Sequence, residues 1–173
     1  MPQMNFTKEL GELEEKVVEI RRTTKVVAGG KNLHFRVVAV VGDKNGHVGI
    51  GIGNAREVPE SIRKAISDAK RNIVEIPILK GTIPHEVEVK FGAARVLMRP
   101  AAPGTGIVAS NAVRSVVELA GIHNILTKSL GSNAAVNVIK STFEGLKSLQ
   151  SPAMIAEKRN LKVSEVFYGT DKE

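Results

Sequence analysis

Residues 35–53 read FRVVAVVGDKNGHVGIGIG, and this stretch decides the fold. Its first part, FRVVAVV, is rich enough in β-branched residues for a well-buried strand. GDKNG at 42–46 is the loop of a hairpin, because Asn45-Gly46 supplies the positive φ values that a tight reversal needs. Residues 47–53, HVGIGIG, then alternate strictly: Val48, Ile50 and Ile52 face one way, and His47, Gly49, Gly51 and Gly53 the other. A strand face made of glycine is bare, so another backbone or a ligand can approach it closely.

Toward the N-terminus, residues 16–27 (KVVEIRRTTKVV) read as a strand with an exposed basic end, broken by Ala28-Gly29-Gly30. Toward the C-terminus, residues 57 to about 76 form the clearest helix, with Pro59 in a first turn where its missing N–H costs nothing. Val58, Ile62, Ile66, Ala69 and Ile73 follow helical spacing as its core stripe, which leaves Arg63, Lys64, Lys70 and Arg71 facing outward. The first module is thus three antiparallel strands and a helix packed on one face. Pro77, Gly81 and Pro84 mark a boundary. After it, Val87, Val89 and Phe91 alternate as a strand, Gly92 turns, and residues 95–99 return as its partner. The loop PAAPGTG at 100–106 leads into a helix from about Ile107 to Ala120, stopped by Gly121. Residues 125–130 read as a short strand. Ser132 is placed to cap a helix with the stripe Val136, Ile139, Phe143, Leu146 and Leu149, ended by Pro152. The expected class is α+β. Its parts are an acidic arm (1–15), a β-β-β-α domain (16–76), a linker (77–84), an α/β domain (85–150) and a peripheral tail (151–173) holding a helical turn or two.

Charge is concentrated in the first module. Residues 16–71 hold 12 Lys or Arg against 5 acids, an excess equal to the +7 of the whole chain. A pI near 9.8 points to a polyanion. Aromatics make up 3% of the chain and Trp is absent, which disfavours an amphipathic membrane helix and leaves nucleic acid. Single-strand binders stack bases on exposed rings. With five Phe and one Tyr, most in apolar patterns, contact with the phosphates and 2′-hydroxyls of folded RNA fits better. The absence of Cys excludes disulfides and thiolate metal sites and fits a reducing compartment. The acidic N-terminus lacks the apolar region of a secretory signal, and no apolar run reaches the roughly 20 residues of a membrane helix. A cytoplasmic protein is expected.

Gly49 to Asn54 fails as a dinucleotide fingerprint, since Asn54 stands where the third Gly belongs and the glycines alternate within a strand. Gly104-Thr105-Gly106 before a helix could hold an anion on free N–H groups or could be a tight loop that admits a neighbour. It is not a Walker A loop, because Ile107-Val108 replaces the Lys and Ser/Thr. His34, His47, His85 and His123 show no ligand spacing, and the carboxylates show no acid/base pair, so no metal, cofactor or catalytic residue is expected. The loop from Thr23 to Lys31 is the best functional candidate, mixing cations with bare backbone; the same residues also read as a plain flexible basic hairpin.

GGKNLHF at 29–35, VVGDKNGHVGIG at 40–51 and AREVPESIRKAI at 55–66 resemble small-subunit ribosomal protein number five in its bacterial form. The second module matches it through PGTGIVA, AVRSVVELAGIHNIL, KSLGS and VNVIKSTFEGLKSL, so the resemblance covers roughly residues 12–159. It implies a first domain like a double-stranded-RNA-binding fold and a second α/β domain with a left-handed crossover. It also implies a structural, non-enzymatic protein bound to 16S rRNA, beside the small-subunit proteins numbered four and eight. The place implied is close to the path by which mRNA enters, with an influence on decoding accuracy. The expected RNA-binding residues are Arg21, Arg22, Thr24, Lys25, Gly29, Gly30, Lys31, Arg36, Arg56, Lys64, Lys70 and Arg71. The resemblance places Gly104, Gly106 and Arg114 toward the protein numbered four. Asn54, Ala28, Ser61 and Ser110-Asn111 depart from residues common in the family, and Asn54 and Ala28 are therefore not carried over as phosphate contacts. Two other readings stand beside this one: a nucleotide-using or RNA-processing enzyme on a shared fold, and an RNA-binding factor that works apart from ribosomes.

Overall fold

The computed structural model describes residues 12–168, so most of the expected acidic arm and the last five residues lie outside the described part. The chain is α+β, with two four-stranded sheets among the described residues. The first sheet has the order β1 (Glu14–Val27), β2 (Gly30–Gly42), β3 (His47–Ala55), β4 (Val74–Glu75), each antiparallel to its neighbour. Helix α1 (Val58–Arg71) covers one face. The second sheet has the order β5 (Val87–Phe91), β6 (Ala94–Pro100), β8 (Ile125–Gly131), β7 (Ile107–Val108). Its β7 and β8 are parallel and are joined by α2 (Asn111–Ala120). Helices α3 (Ala135–Lys147), α4 (Pro152–Arg159) and α5 (Val163–Tyr168) complete the order.

The unbroken Val run of β2 is explained by cover on both faces. Val37 and Ala39 meet Ala65 of α1. Val38 and Val40 join Val48, Ile76 and Ile83 in a core shared with Val116, Val117 and Leu119 of α2 and with Ile139 and Leu146 of α3. The glycine face of β3 receives α1. A Cβ on Gly49, Gly51 or Gly53 would fall under 3.0 Å from backbone atoms of Ala69, Ala65 or Ser61. That close approach selects the residues of the helix: its buried positions are Ser61, Ala65 and Ala69, while Ile62 and Ile66 pack beside them. The apolar stripe expected from helical spacing holds at Ala69, Ile62 and Ile66 and is corrected at the closest contacts, where the bare strand face takes Ser61 and Ala65.

The helix is also shorter than expected. Asn72 turns its side-chain amide back onto the Asp68 carbonyl (3.0 Å) and its N–H onto that of Ala69 (3.1 Å), ending α1. Residues 74–75 then form the edge strand β4 rather than a last helical turn. The hairpin at 42–46 docks on the far domain. Lys44 and Gly46 donate their N–H groups to the Leu119 and Ala120 carbonyls at the C-terminal end of α2 (3.0 and 2.9 Å), which would otherwise lack helical partners. Ile83, in the expected linker, is 1% exposed.

Three further expectations change. α2 begins at Asn111, and Ile107–Val108 is a strand, because pairing with Ile125 and Leu126 of β8 claims those two residues first. Ala134 is the N-cap of α3, and Ser132 Oγ accepts the Ala134 N–H from two residues ahead. Pro152 opens α4 instead of closing α3, which has already ended at Lys147.

Candidate nucleic-acid interface

β1 and β2 outrun the rest of their sheet. β3 last pairs with β2 at Ala55 opposite Phe35. Beyond that point, among the described residues, Thr23–Val27 and Gly30–His34 pair only with each other, a two-stranded ribbon about 17 Å long. The segment expected as a loop is therefore strand on both sides of a turn at Ala28-Gly29, since its β-branched run sustains pairing to the end. Gly30 has a φ of 138°, which a side chain would resist.

Opposed residues share a face, so the register sorts the cations. Arg21 lies opposite Arg36, and Lys25 opposite Asn32, on the face that farther along carries Val38 and Val40. Arg22 opposite Phe35, Thr24 opposite Leu33, and Lys31 opposite Val26 lie on the face that farther along carries Val37 and Ala39. The ribbon thus presents cations on both sides. Val26 is 72% exposed there, far more than solubility asks of a valine. Arg21 and Arg36 are like charges directly opposed, which is unfavourable until an anion sits over them. Among the described residues only Glu19, 3.2 Å from Arg21, offsets that pair.

The remaining candidates lie along α1. Arg56 precedes the helix, and Lys64, Lys70 and Arg71 sit on its outer surface. All twelve expected RNA-binding residues are exposed. They differ in availability. Lys64 is bridged to Glu60 (2.9 Å), whose carboxyl it holds below the usual range, and Lys70 is bridged to Glu15 (2.8 Å). Arg22, Lys25, Lys31, Arg36, Arg56 and Arg71 form no ion pair among the described residues.

Gly104, Gly106 and Arg114 come together around β7. The Asn124 carboxamide oxygen accepts the N–H groups of Gly104 (3.0 Å) and Gly106 (3.1 Å), and Arg114 Nη2 donates to the Ile107 carbonyl (2.8 Å). Those amides are spent, and a strand follows them rather than a helix, so the anion-holding reading of this loop falls. Spacing gives no hint of Asn124, whose role rests on a contact 18 to 20 residues away. Sequence reasoning also missed Asp43. Its carboxylate accepts the N–H groups of Asn45 (2.8 Å) and His47 (3.0 Å) and lies 2.7 Å from His47 Nδ1, which fixes the hairpin that docks on α2. Burial alone would raise its pKa, but these hydrogen bonds and the imidazole outweigh burial and lower it. Among the described residues no group of His, Asp and Glu is placed to hold a metal ion, and no helix is long and apolar enough to cross a membrane.

The family model described as ribosomal protein S5, N-terminal domain, matches residues 13–77, and that of the S5 C-terminal domain matches residues 89–159. The chain belongs to the ribosomal protein S5 family. Among its relatives is the small ribosomal subunit protein uS5 of Thermotoga maritima, 64% identical over 162 residues that cover 94% of this chain and 91% of the relative. The uS5 proteins of Thermotoga petrophila (63%, with the same coverage) and Thermosipho africanus (59%, covering 94% and 92%) are similar. Membership in the S5 family carries a structural ribosomal role and does not favour a factor that works apart from ribosomes. The two S5 matches fall one on each sheet, so the ribbon and α1 belong to the N-terminal match and the Asn124 loop to the C-terminal one.

Proposed function

We propose that this chain is a structural protein of the small ribosomal subunit that grips 16S rRNA with the β1–β2 ribbon and the outer surface of α1, and that it performs no chemistry of its own. The observation that carries this reading is the ribbon: a two-stranded arm, free of helix cover among the described residues, with cations on both faces and a glycine turn at its tip. Such an arm fits into a groove of folded RNA, where phosphates flank it on two sides, better than against a flat surface. The two opposed arginines gain most from that placement. The cluster of Gly104, Gly106 and Arg114 faces a neighbouring small-subunit protein, the one numbered four, with the protein numbered eight as a second contact. This position lies close to the path of incoming mRNA, supports subunit assembly, bears on translational accuracy, and belongs to ribosomes of the cytoplasm.

Sedimentation tests the proposal. Tagged chain expressed in a bacterial host should travel with small subunits through a sucrose gradient and leave them only at high salt. A chain that stays at the top of the gradient at low salt refutes it.

A further inference from the structure

A cleft of about 700 Å³ opens between the two domains, away from the ribbon. Ile50 and Ile52 of β3 and Arg71 of α1 line one side, and Phe91, Lys140 and Lys147 line the other. Three features set it apart. The first is charge: Arg71 of α1 meets Lys140 and Lys147 of α3 there, and none of the three has an ion pair among the described residues. Asp68 and Glu144 line the cleft as well, so three cations against two carboxylates leave it a formal charge of +1. Asp68 accepts the Ile52 N–H (3.0 Å) and faces the Asn72 amide (3.4 Å), and Glu144 bridges to neither lysine of its own helix. The second is Phe91, an aromatic ring 37% exposed in a chain that has few aromatics. The third is that Lys140 Nζ stands over that ring, 5.3 Å from its centroid, so a base that takes the ring face displaces the ammonium toward a phosphate beside it.

A ligand that satisfies both needs an anionic group and a planar apolar one, joined within the span of a small-molecule pocket. We infer that the cleft takes unpaired nucleotides of RNA, with a base against Phe91 and the flanking phosphates on Arg71, Lys140 and Lys147. A duplex cannot supply this ligand, because its bases are already stacked. The cleft is therefore a second RNA site, single-stranded in preference, beside the backbone-reading ribbon. It rests on the reading of the chain as an RNA-binding protein, and it can fail while that reading stands.

Fluorescence anisotropy with two probes separates them: a labelled oligouridylate ten nucleotides long and a labelled RNA duplex. Phe91→Ala, and independently Lys140→Gln with Lys147→Gln, should weaken oligouridylate binding about tenfold and leave duplex binding unchanged. Arg22→Ala with Lys25→Ala and Lys31→Ala should do the reverse. If Phe91→Ala lowers the melting temperature, the lysine pair, which is exposed or half-exposed, decides alone. Unchanged oligouridylate binding in the cleft variants overturns the inference, as does an equal loss on both probes. Uridine monophosphate that competes as well as the oligomer overturns it too, by making a free nucleotide the occupant. Duplex binding that survives the ribbon substitutions counts against the proposed function and not against the cleft.

Discussion

Substituting Gly51 by Ala tests the contact on which the first domain is built. A Cβ on Gly51 falls under 3.0 Å from three backbone atoms of α1, with Ala69 Cα at 2.9 Å, and neither backbone can rotate away as a side chain would. Restoring an ordinary separation requires the helix to withdraw by roughly 1 Å. Overpacking of this kind costs about 1–3 kcal/mol. The same withdrawal stretches the 3.0 Å bond from the Ile52 N–H to Asp68, adding about 1 kcal/mol. The expected total is about 2–4 kcal/mol, which for a chain of this size lowers the melting temperature by about 4–16 °C. Gly29→Ala is the control, since a Cβ there meets nothing within 4 Å. It should change stability by less than about 1 kcal/mol. Thermal melts followed by circular dichroism read both variants. A Gly51→Ala protein that melts within about 2 °C of the wild type refutes the close-packed account of β3 and α1.

Asp43 has a pKa lowered in the folded state, so its stabilising effect is present above the unfolded value and is lost as pH falls through the folded one. Asp43→Asn should cost about 1–3 kcal/mol at neutral pH and should flatten the loss of stability below about pH 4; melts across that range check it. Asn124→Ala removes the acceptor shared by the Gly104 and Gly106 amides. Hydrogen exchange at residues 104–106 should then accelerate, with a loss of about 1–2 kcal/mol of stability and no change in RNA affinity.

The central hairpin and the glycine face of β3 were legible because a period of two and an Asn-Gly turn are local signals, written within a few residues. What that face receives was legible only as a backbone or a ligand. The identity of the backbone depends on Ser61, Ala65 and Ala69, whose smallness has no meaning until the strand is placed against them. β4 and β7 escaped notice for another reason. Two residues carry no periodicity, and both strands exist only through partners far along the chain, Val74 with Val48 and Ile107 with Ile125. The basic residues of the candidate site could be named from charge alone. Their division between two faces of a ribbon could not, because it follows from a register that a bulge between Val17 and Glu19 shifts by one residue. The availability of Arg22 or Lys31, against the bridged state of Lys64 and Lys70, is likewise a property of the folded chain.

The salt dependence of binding to a 16S rRNA fragment addresses the main proposal most directly. Affinity is measured from about 50 to 200 mM salt for the wild type and for the variant with Arg22, Lys25 and Lys31 replaced by Ala. If these cations each hold a phosphate, the log–log slope should fall by about one for each cation removed, with the melting temperature unchanged. An equal slope and equal affinity in a folded variant would contradict the account, for the ribbon would then not be where the RNA is held.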